Sequence, residues 1–160
     1  MKRLYSCTIS SLKKSQTEYS LRKEKPTFLR AYPCQRTSVK ELLINIYWWL
    51  ITKGKYFVWC AYDGDDVVHT SYIVPKCMKF PFLTKGTYEI GPCKTESAYR
   101  GKGIYPAVLS QIVAEVGKAY MIIDDINTAS IRGVTKAGFV AMSGEIKRDR
   151  LRRFVYITEN

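Results

Sequence analysis

The stretch from Thr87 to Val116 holds three features in a fixed order, and together they restrict the fold more than anything else in the chain. "TYEIGPCKTE" reads as a strand interrupted by Gly91 and Pro92, a pair that marks a bulge or a local break in a sheet. "SAYRGKG" follows as a turn with two glycines and two cations. Apolar residues then recur at 104, 108, 109, 112, 113 and 116, which is one face of an amphipathic helix. Pro106 falls in its first turn, where a proline costs little, and Gly117 ends it. A helix that starts just after such a turn points unpaired N–H groups and positive potential at whatever the turn holds, and a phosphate is the natural guest. Gly101 and Gly103 keep side chains away from those amides, while Arg100 and Lys102 either add charge or point into water. Two other phosphate cradles fail on spacing. The nucleotide P-loop pattern is absent, and the dinucleotide fingerprint would need glycine where Pro106 stands. A basic turn that touches RNA is an alternative, but it needs neither the strand before nor the ordered helix after.

The remaining elements set this unit in a mixed sheet. "RLYSCTIS" reads as a first strand. The polar, basic stretch "KKSQTEYSLRKEKPTFLRAYPCQR", broken by Pro26 and Pro33, reads as loop or short irregular pieces. Thr37 or Ser38 can cap a helix carrying Val39, Leu42, Leu43, Ile46 and Leu50 at helical spacing. Ile44, Tyr47, Trp48 and Ile51 widen its apolar face, so burial on most sides is expected; the tryptophans fill core or line a cleft. "KYFVWCAYDGDDVVHTSYIVP" is strand, turn and strand about Gly64. "AYMIIDDI" is a buried strand, "NTASIRGVTKA" a short helix, and "GFVAMSGEI" and "RFVYITEN" two closing strands. The order αββ, βαβα, ββ implies a sheet with helices on its faces.

A second signal lies one strand–helix unit downstream. In "DDINTASIRGVTKAGF", Asn127 stands at a strand end, Ser130 at a helix start and Gly138-Phe139 at the next strand. Asn127 could bond an amide-bearing ligand or simply cap the helix, with Gly138 as its C-terminal cap. Asp124 and Asp125 end a strand and flank that helix.

Taken together, "YRGKGIYPAVL" and "NTASIRGVTKAGF" resemble the GNAT superfamily of acyl-CoA-dependent N-acyltransferases. The first is similar to its pyrophosphate motif, Q/R-x-x-G-x-G/A, with Arg100 leading and Gly103 at the first glycine. The second is similar to its N-x-x-A/S … K-x-G-F motif, matched by Asn127, Ser130, Lys136, Gly138 and Phe139. The likeness covers about residues 87–145. It implies an α+β domain spanning residues 1–160, whose mixed, mostly antiparallel central sheet is splayed in the middle, with helices on both faces. It implies acetyl-CoA as cosubstrate, no metal, and a pantetheine slot beside Cys93, Lys94 and Thr95. Arg100, Gly101, Lys102, Gly103, Ile104, Tyr105, Asn127 and Ser130 would complete the cofactor site. The implied reaction is direct attack by a primary amine on the thioester, with a backbone N–H near Thr95 polarising the carbonyl. Glu89 is the first candidate for the base that deprotonates the amine, and His69 the second; an exposed strand residue is the competing reading of Glu89. Two positions depart from the pattern. Tyr105 replaces the final Gly/Ala of the cradle, so the helix start must make room for a ring. Val134 stands where many members carry the tyrosine that protonates the departing thiolate.

Charge and cysteines bear on partners and compartment. A net charge of +12, from 26 Lys and Arg against 14 Asp and Glu, points to polyanions, phosphorylated ligands or an anionic membrane surface as partners, against a basic solvated surface as the plain alternative. Coenzyme A accounts for part of it. The cluster "EIKRDRLRR" is either a solvated turn or a seat for an anionic or phosphorylated acceptor. Cys7, Cys34, Cys60, Cys77 and Cys93 are odd in number and nowhere spaced C-x-x-C, which fits free thiols in a reducing cytoplasm and no metal site. No signal segment and no membrane span is expected. Twelve tyrosines and three tryptophans would suit a homodimer interface. Two alternatives to the enzyme stay open: a basic nucleic-acid-binding module, and a GNAT-like fold that binds coenzyme A without turnover.

Overall fold

Side-chain alternation in the central strands dictates a sheet buried on both faces. In β3 (Phe57–Asp63), Phe57, Trp59 and Ala61 enter one apolar cluster, while Val58, Cys60 and Tyr62 enter another. A strand apolar at every position can only sit between two packed layers. The computed structural model describes residues 1–28 and 39–158. Its strands β1 (Lys2–Thr8), β2 (Ser20–Glu24), β3, β4 (Asp66–Pro75), β5 (Tyr88–Thr95), β6 (Lys118–Asp124) and β7 (Val140–Ala141) form one sheet in the order β2-β3-β4-β5-β6-β1-β7. The β5–β6 pair is parallel and the other pairings are antiparallel.

The two apolar clusters define the faces. Helices α2 (Ile104–Val116) and α3 (Thr128–Lys136) cover one, burying Ile104, Val108, Leu109, Ile112, Val113 and Val134. Helix α1 (Val39–Thr52) covers the other, where Trp48 packs with Phe80, Leu83, Ile146 and Phe154. Trp48 and Phe154 both stack on the Phe80 ring. Helices therefore lie on both faces, as expected, and Trp48 is core.

Three expectations need correction. Helix α1 is not buried on most sides: Val39, Leu43, Ile44, Tyr47 and Leu50 are exposed. Its buried side chains are Asn45, Trp48 and Thr52, with Trp49 and Ile51 packed partly buried beside them, and the Asn45 amide nitrogen is spent on the Thr27 and Phe28 carbonyls at 2.8 and 3.0 Å. The basic stretch read as irregular contains β2, paired along β3 from Ser20↔Tyr62 to Glu24↔Val58. Its charges suit a sheet edge and hide the alternation; Leu21 packs on the core while Lys23 reaches Glu115 of α2. Residues 138–146 are not one strand. β7 is short, and β8 (Glu145–Arg148) pairs with β9 (Phe154–Ile157) in a separate hairpin. Gly144 (φ 120°) makes that break, where a Cβ would stand 2.4 Å from the Ile157 carbonyl oxygen. Pro33, Cys34 and the cap expected at Thr37 or Ser38 lie outside the described residues.

The end of α3 ties the sheet to the N-terminal segment. Gly138 N–H bonds Thr135 O at 3.1 Å and Phe139 N–H bonds Val134 O at 3.0 Å, a Schellman closure with Gly138 at φ 94°. A Cβ on Gly138 would meet the Ser11 carbonyl oxygen at 2.2 Å, a backbone atom that cannot step aside. Gly138→Ala is therefore expected to cost at least about 2 kcal/mol, against about 1 kcal/mol for Gly64→Ala, where φ is positive but nothing lies within 4 Å. Urea unfolding of the two variants compares them; equal losses would contradict the close-approach account.

Candidate functional site

The site begins where β5 leaves β6. Their ladder holds only Tyr88↔Ala119 and Glu89↔Tyr120. Beyond it, Met121 to Asp124 pair with β1, and Cys93 to Thr95 pair with β4. The cause lies in β5. Its register with β4 shifts between Ser71 and Ile73, so that Gly91 and Pro92 together face Tyr72. One extra residue bends the strand and increases its twist. Amide directions follow from one bond. Glu96 N–H donates to Val68 O at 3.0 Å, toward β4. Successive strand amides alternate sides, so the N–H groups of Thr95 and Cys93 point away from β4, into the gap.

At one end of the gap stands the glycine turn. Gly101 (φ 82°) and Gly103 (φ 78°) need the left-handed region, and no atom lies within 4 Å of where their Cβ would be. Gly103 caps α2 without a side-chain bond, and Ala107 N–H reaches Gly103 O at 3.2 Å. The amides ahead of that bond are the orphan donors of a helix start. Ile104 is buried and anchors the first turn. The cations fold onto neighbours: Arg100 Nε donates to Thr95 O at 3.2 Å, and Lys102 Nζ lies 4.8 Å from the centre of the Tyr99 ring.

Room for Tyr105 comes from a neighbour. Its ring packs on α3 at Gly133, where a Cβ would fall 2.5 Å from ring carbon Cδ1. The departure at the last cradle position is thus matched by a second glycine, which a motif reading passes over.

Beneath the gap, on the α2 face, runs a buried polar chain. Thr95 Oγ1 lies 2.6 Å from His69 Nδ1, His69 Nε2 lies 2.8 Å from Ser71 Oγ, and Ser71 Oγ donates to Cys93 Sγ at 3.2 Å. Since Ser71 gives its hydrogen to sulfur, His69 Nε2 carries a hydrogen and Nδ1 accepts from Thr95. Burial drops the imidazole to about 4, so His69 is neutral near pH 7 with both nitrogens engaged. Burial likewise pushes the Cys93 thiol up to about 12, partly offset by Ser71. Ser71 carried no motif; its signal was its place two residues from His69, on the same strand face.

Glu89 faces the other way. It lies on the α1 face, is only 5 % exposed, and its Oε2 has no hydrogen-bond partner among the described residues. The exposed-residue reading of Glu89 is therefore wrong. Desolvation raises its carboxyl to about 8, and the nearby Lys79 opposes the shift. Lys79 Nζ sits 4.5 Å above Trp48 and within 6 Å of the rings of Tyr47, Phe80 and Phe154. Oε1 of Glu89 bends toward the bulge, 3.0 Å from where a Gly91 Cβ would be.

The downstream residues take structural duties. Asn127 caps α3, its Oδ1 accepting from Ser130 N–H at 3.1 Å. Val134 is fully buried. Asp124 and Asp125 hold the N-terminus and Arg3 at 3.9 and 3.1 Å. In the basic cluster, Asp149 accepts from Leu151 N–H, Arg153 N–H and Arg153 Nε, which makes it a turn between β8 and β9. Among the described residues there is no group of three metal-ligating side chains, and no helix is long and apolar enough to cross a membrane.

No protein-family model matches the chain, and no curated protein matches it. Solved structures do. A GNAT-family acetyltransferase from Colwellia psychrerythraea aligns with TM-score 0.58 and 12% identity, over 88% of this chain and 52% of that one. A functionally unknown conserved protein from Staphylococcus epidermidis ATCC 12228 aligns with TM-score 0.56 and 15% identity, over 88% and 57%. A GCN5-related N-acetyltransferase from Sphaerobacter thermophilus aligns with TM-score 0.53 and 13% identity, over 88% and 48%. The chain thus has the GNAT fold, and it spans about half the length of the structures it matches.

The buried carboxyl gives a stability prediction. Because Glu89 keeps its proton to about 8 in the fold but only to about 4.5 unfolded, the folded state binds more protons between those values. Stability is then lost as pH rises through that window. Glu89→Gln removes the loss, so the variant's melting temperature should gain on the parent's from about pH 5 to about pH 8 and level off above. A difference that does not change with pH would show that Glu89 ionises normally in the fold.

Proposed function

We propose that this chain, having the GNAT fold, is an acyltransferase that passes the acetyl group of acetyl-CoA to a primary amine of a small or sugar-linked acceptor by direct attack. The observation that carries the reading is the parted β5–β6 pair, with the amides of Cys93 and Thr95 turned into the opening and the uncapped start of α2 at its end. An extended pantetheine arm needs what that opening offers, backbone donors on an unpaired strand edge. A pyrophosphate needs what the turn offers, amides with open space before Gly101 and Gly103 and the cations of Arg100 and Lys102 beside them. Ser130 and the Asn127 side chain stand at the neighbouring helix start and complete the coenzyme site.

Each proposed role follows from placement. The Thr95 N–H, aimed into the gap, polarises the thioester carbonyl and stabilises the oxyanion that forms on attack. Glu89 takes the proton of the attacking ammonium, directly or through water. Its raised pKa suits the task, because a base near the working pH both accepts a proton and spends part of its time free to do so. His69 is the weaker candidate: it lies on the opposite face with both nitrogens bonded, and it orders Thr95 and Ser71 instead. Holding amine and thioester side by side supplies much of the rate. The half-buried Lys79 beside Glu89 favours an acceptor that also carries a negative group, in keeping with the basic surface.

Acetyl-CoA at about one hundred times its Kd should stabilise the fold by about 2.7 kcal/mol, a rise of about 5–10 °C in melting temperature. Gly103→Val should lose that rise; a β-branched residue is strained at φ 78°, so the variant also melts lower without ligand, and the comparison is of the ligand-induced shift in each protein. No shift for the parent would remove the reading. Thiol release with a panel of primary amines then tests turnover, and its rate should climb with pH toward a plateau above about 8, a dependence that Glu89→Gln abolishes.

A further inference from the structure

The proposed reaction leaves a sulfur to be stabilised, and a phenol stands where the strands part. Tyr105 leaves the first turn of α2, crosses Gly133 of α3, and passes the His69 ring at 5.7 Å between centroids. Its hydroxyl donates to Met121 Sδ on β6 at 3.8 Å. Cys93 on β5 shares a hydrogen bond with the same hydroxyl. Met121 is the residue after Tyr120, the last of β6 to pair with β5, and Cys93 follows the bulge. The phenol therefore reaches both edges of the opening at the point where it opens. Val134, next to Gly133, brings no donor there.

Sidedness gives the hydroxyl a task. Glu89 reaches the opening from the α1 face, whereas Tyr105, Cys93 and Met121 belong to the α2 face. An amine losing its proton to Glu89 attacks from one side, and the group expelled from the carbonyl leaves toward the other. We propose that Tyr105 donates a hydrogen bond to the departing sulfur of the thioester, an inference that rests on the acyltransferase reading. The amine lone pair forms the N–C bond, the C–S bond breaks with its electron pair going to sulfur, and the ammonium proton goes to Glu89. Coenzyme A leaves as a thiolate held by the Tyr105 hydroxyl and takes a proton from solvent on release. The phenol is suited to donate: burial and the neighbouring Cys93 keep it well above its ordinary pKa of 10, so the hydrogen stays on oxygen. Its present acceptors are a thioether and a thiol, both weak, and a thiolate replaces them with a charge-assisted bond.

The titration of the coenzyme A thiol, bound to the whole chain, tests this through its ultraviolet thiolate absorbance, with the desulfo-coenzyme A complex as blank. Among the described residues the titratable groups around the phenol are Cys93 of β5 and His69 of β4 on its own face and Glu89 of β5, which acts through its charge from the opposite face, and the blank contains all three. In Tyr105→Phe the bound thiol should titrate about one to two pH units higher than in the parent. Identical titration in both proteins overturns the role of Tyr105 and leaves the acyltransferase reading standing. Failure of the parent to bind coenzyme A overturns both. If Tyr105→Phe does not bind, a difluorotyrosine at position 105 keeps the shape with a more acidic phenol; the thiol titration must then move downward, and no movement overturns the proposal.

Discussion

One inserted residue organises the molecule. A sheet strand normally pairs along its whole length on both edges, because each unpaired amide costs free energy when buried. Here β5 carries Gly91-Pro92 opposite a single residue of β4, and the distorted strand abandons β6 after two pairs. The proposed site is arranged around amides that lost their partners at that point. The neighbouring β6 has β1 on its far edge over its whole length, which holds it in line while β5 turns away.

The same bend sorts side chains between faces. Before it, Glu89 points to the α1 side and Tyr88 and Ile90 to the α2 side. An extra residue in a strand of period two inverts the alternation, so Cys93 and Thr95 fall on the α2 side, opposite Ser71 and His69. A carboxyl with one oxygen lacking a hydrogen bond and a hydrogen-bonded chain of hydroxyls, imidazole and thiol thereby end up on opposite sides of one gap. Buried polar networks are stable only when every member is satisfied. The His69 chain meets that condition and is rigid. Glu89 Oε2 does not, which is the condition expected of a group that waits for a ligand.

The sequence was most legible where local chemistry leaves little choice. The Gly91-Pro92 break, the turn at Gly101–Gly103, the span of α2 and the close of α3 at Gly138 each rest on residues whose backbone preferences are nearly unique. The surroundings of Glu89 were not legible, because burial of a strand residue depends on which loop covers it, and residues 76–87 show no period. Edge strand β2 was hidden by the charges that protect an edge. The width of the apolar face on α1 suggested deep burial, whereas among its described residues only Asn45, Trp48 and Thr52 are buried, with Trp49 and Ile51 partly so. Periodicity reports which residues could be buried; the sheet decides how many are.

Tyr105 and Gly133 illustrate the remaining gap between motif and structure. A ring at the helix start looks like a defect in a phosphate cradle when the cradle is read alone. In three dimensions it is half of a pair, since the ring lies where a side chain on α3 would otherwise be. The exchange has a chemical consequence. Position 134 faces the same cluster with an aliphatic side chain, and the hydroxyl in this part of the structure comes from α2. Carrying the donor on α2 links it to the turn that would hold the pyrophosphate, because Gly103 and Tyr105 belong to the same helix start. Any shift of that start on binding the phosphates would move the phenol with it, so that gripping one end of the coenzyme positions the donor at the other.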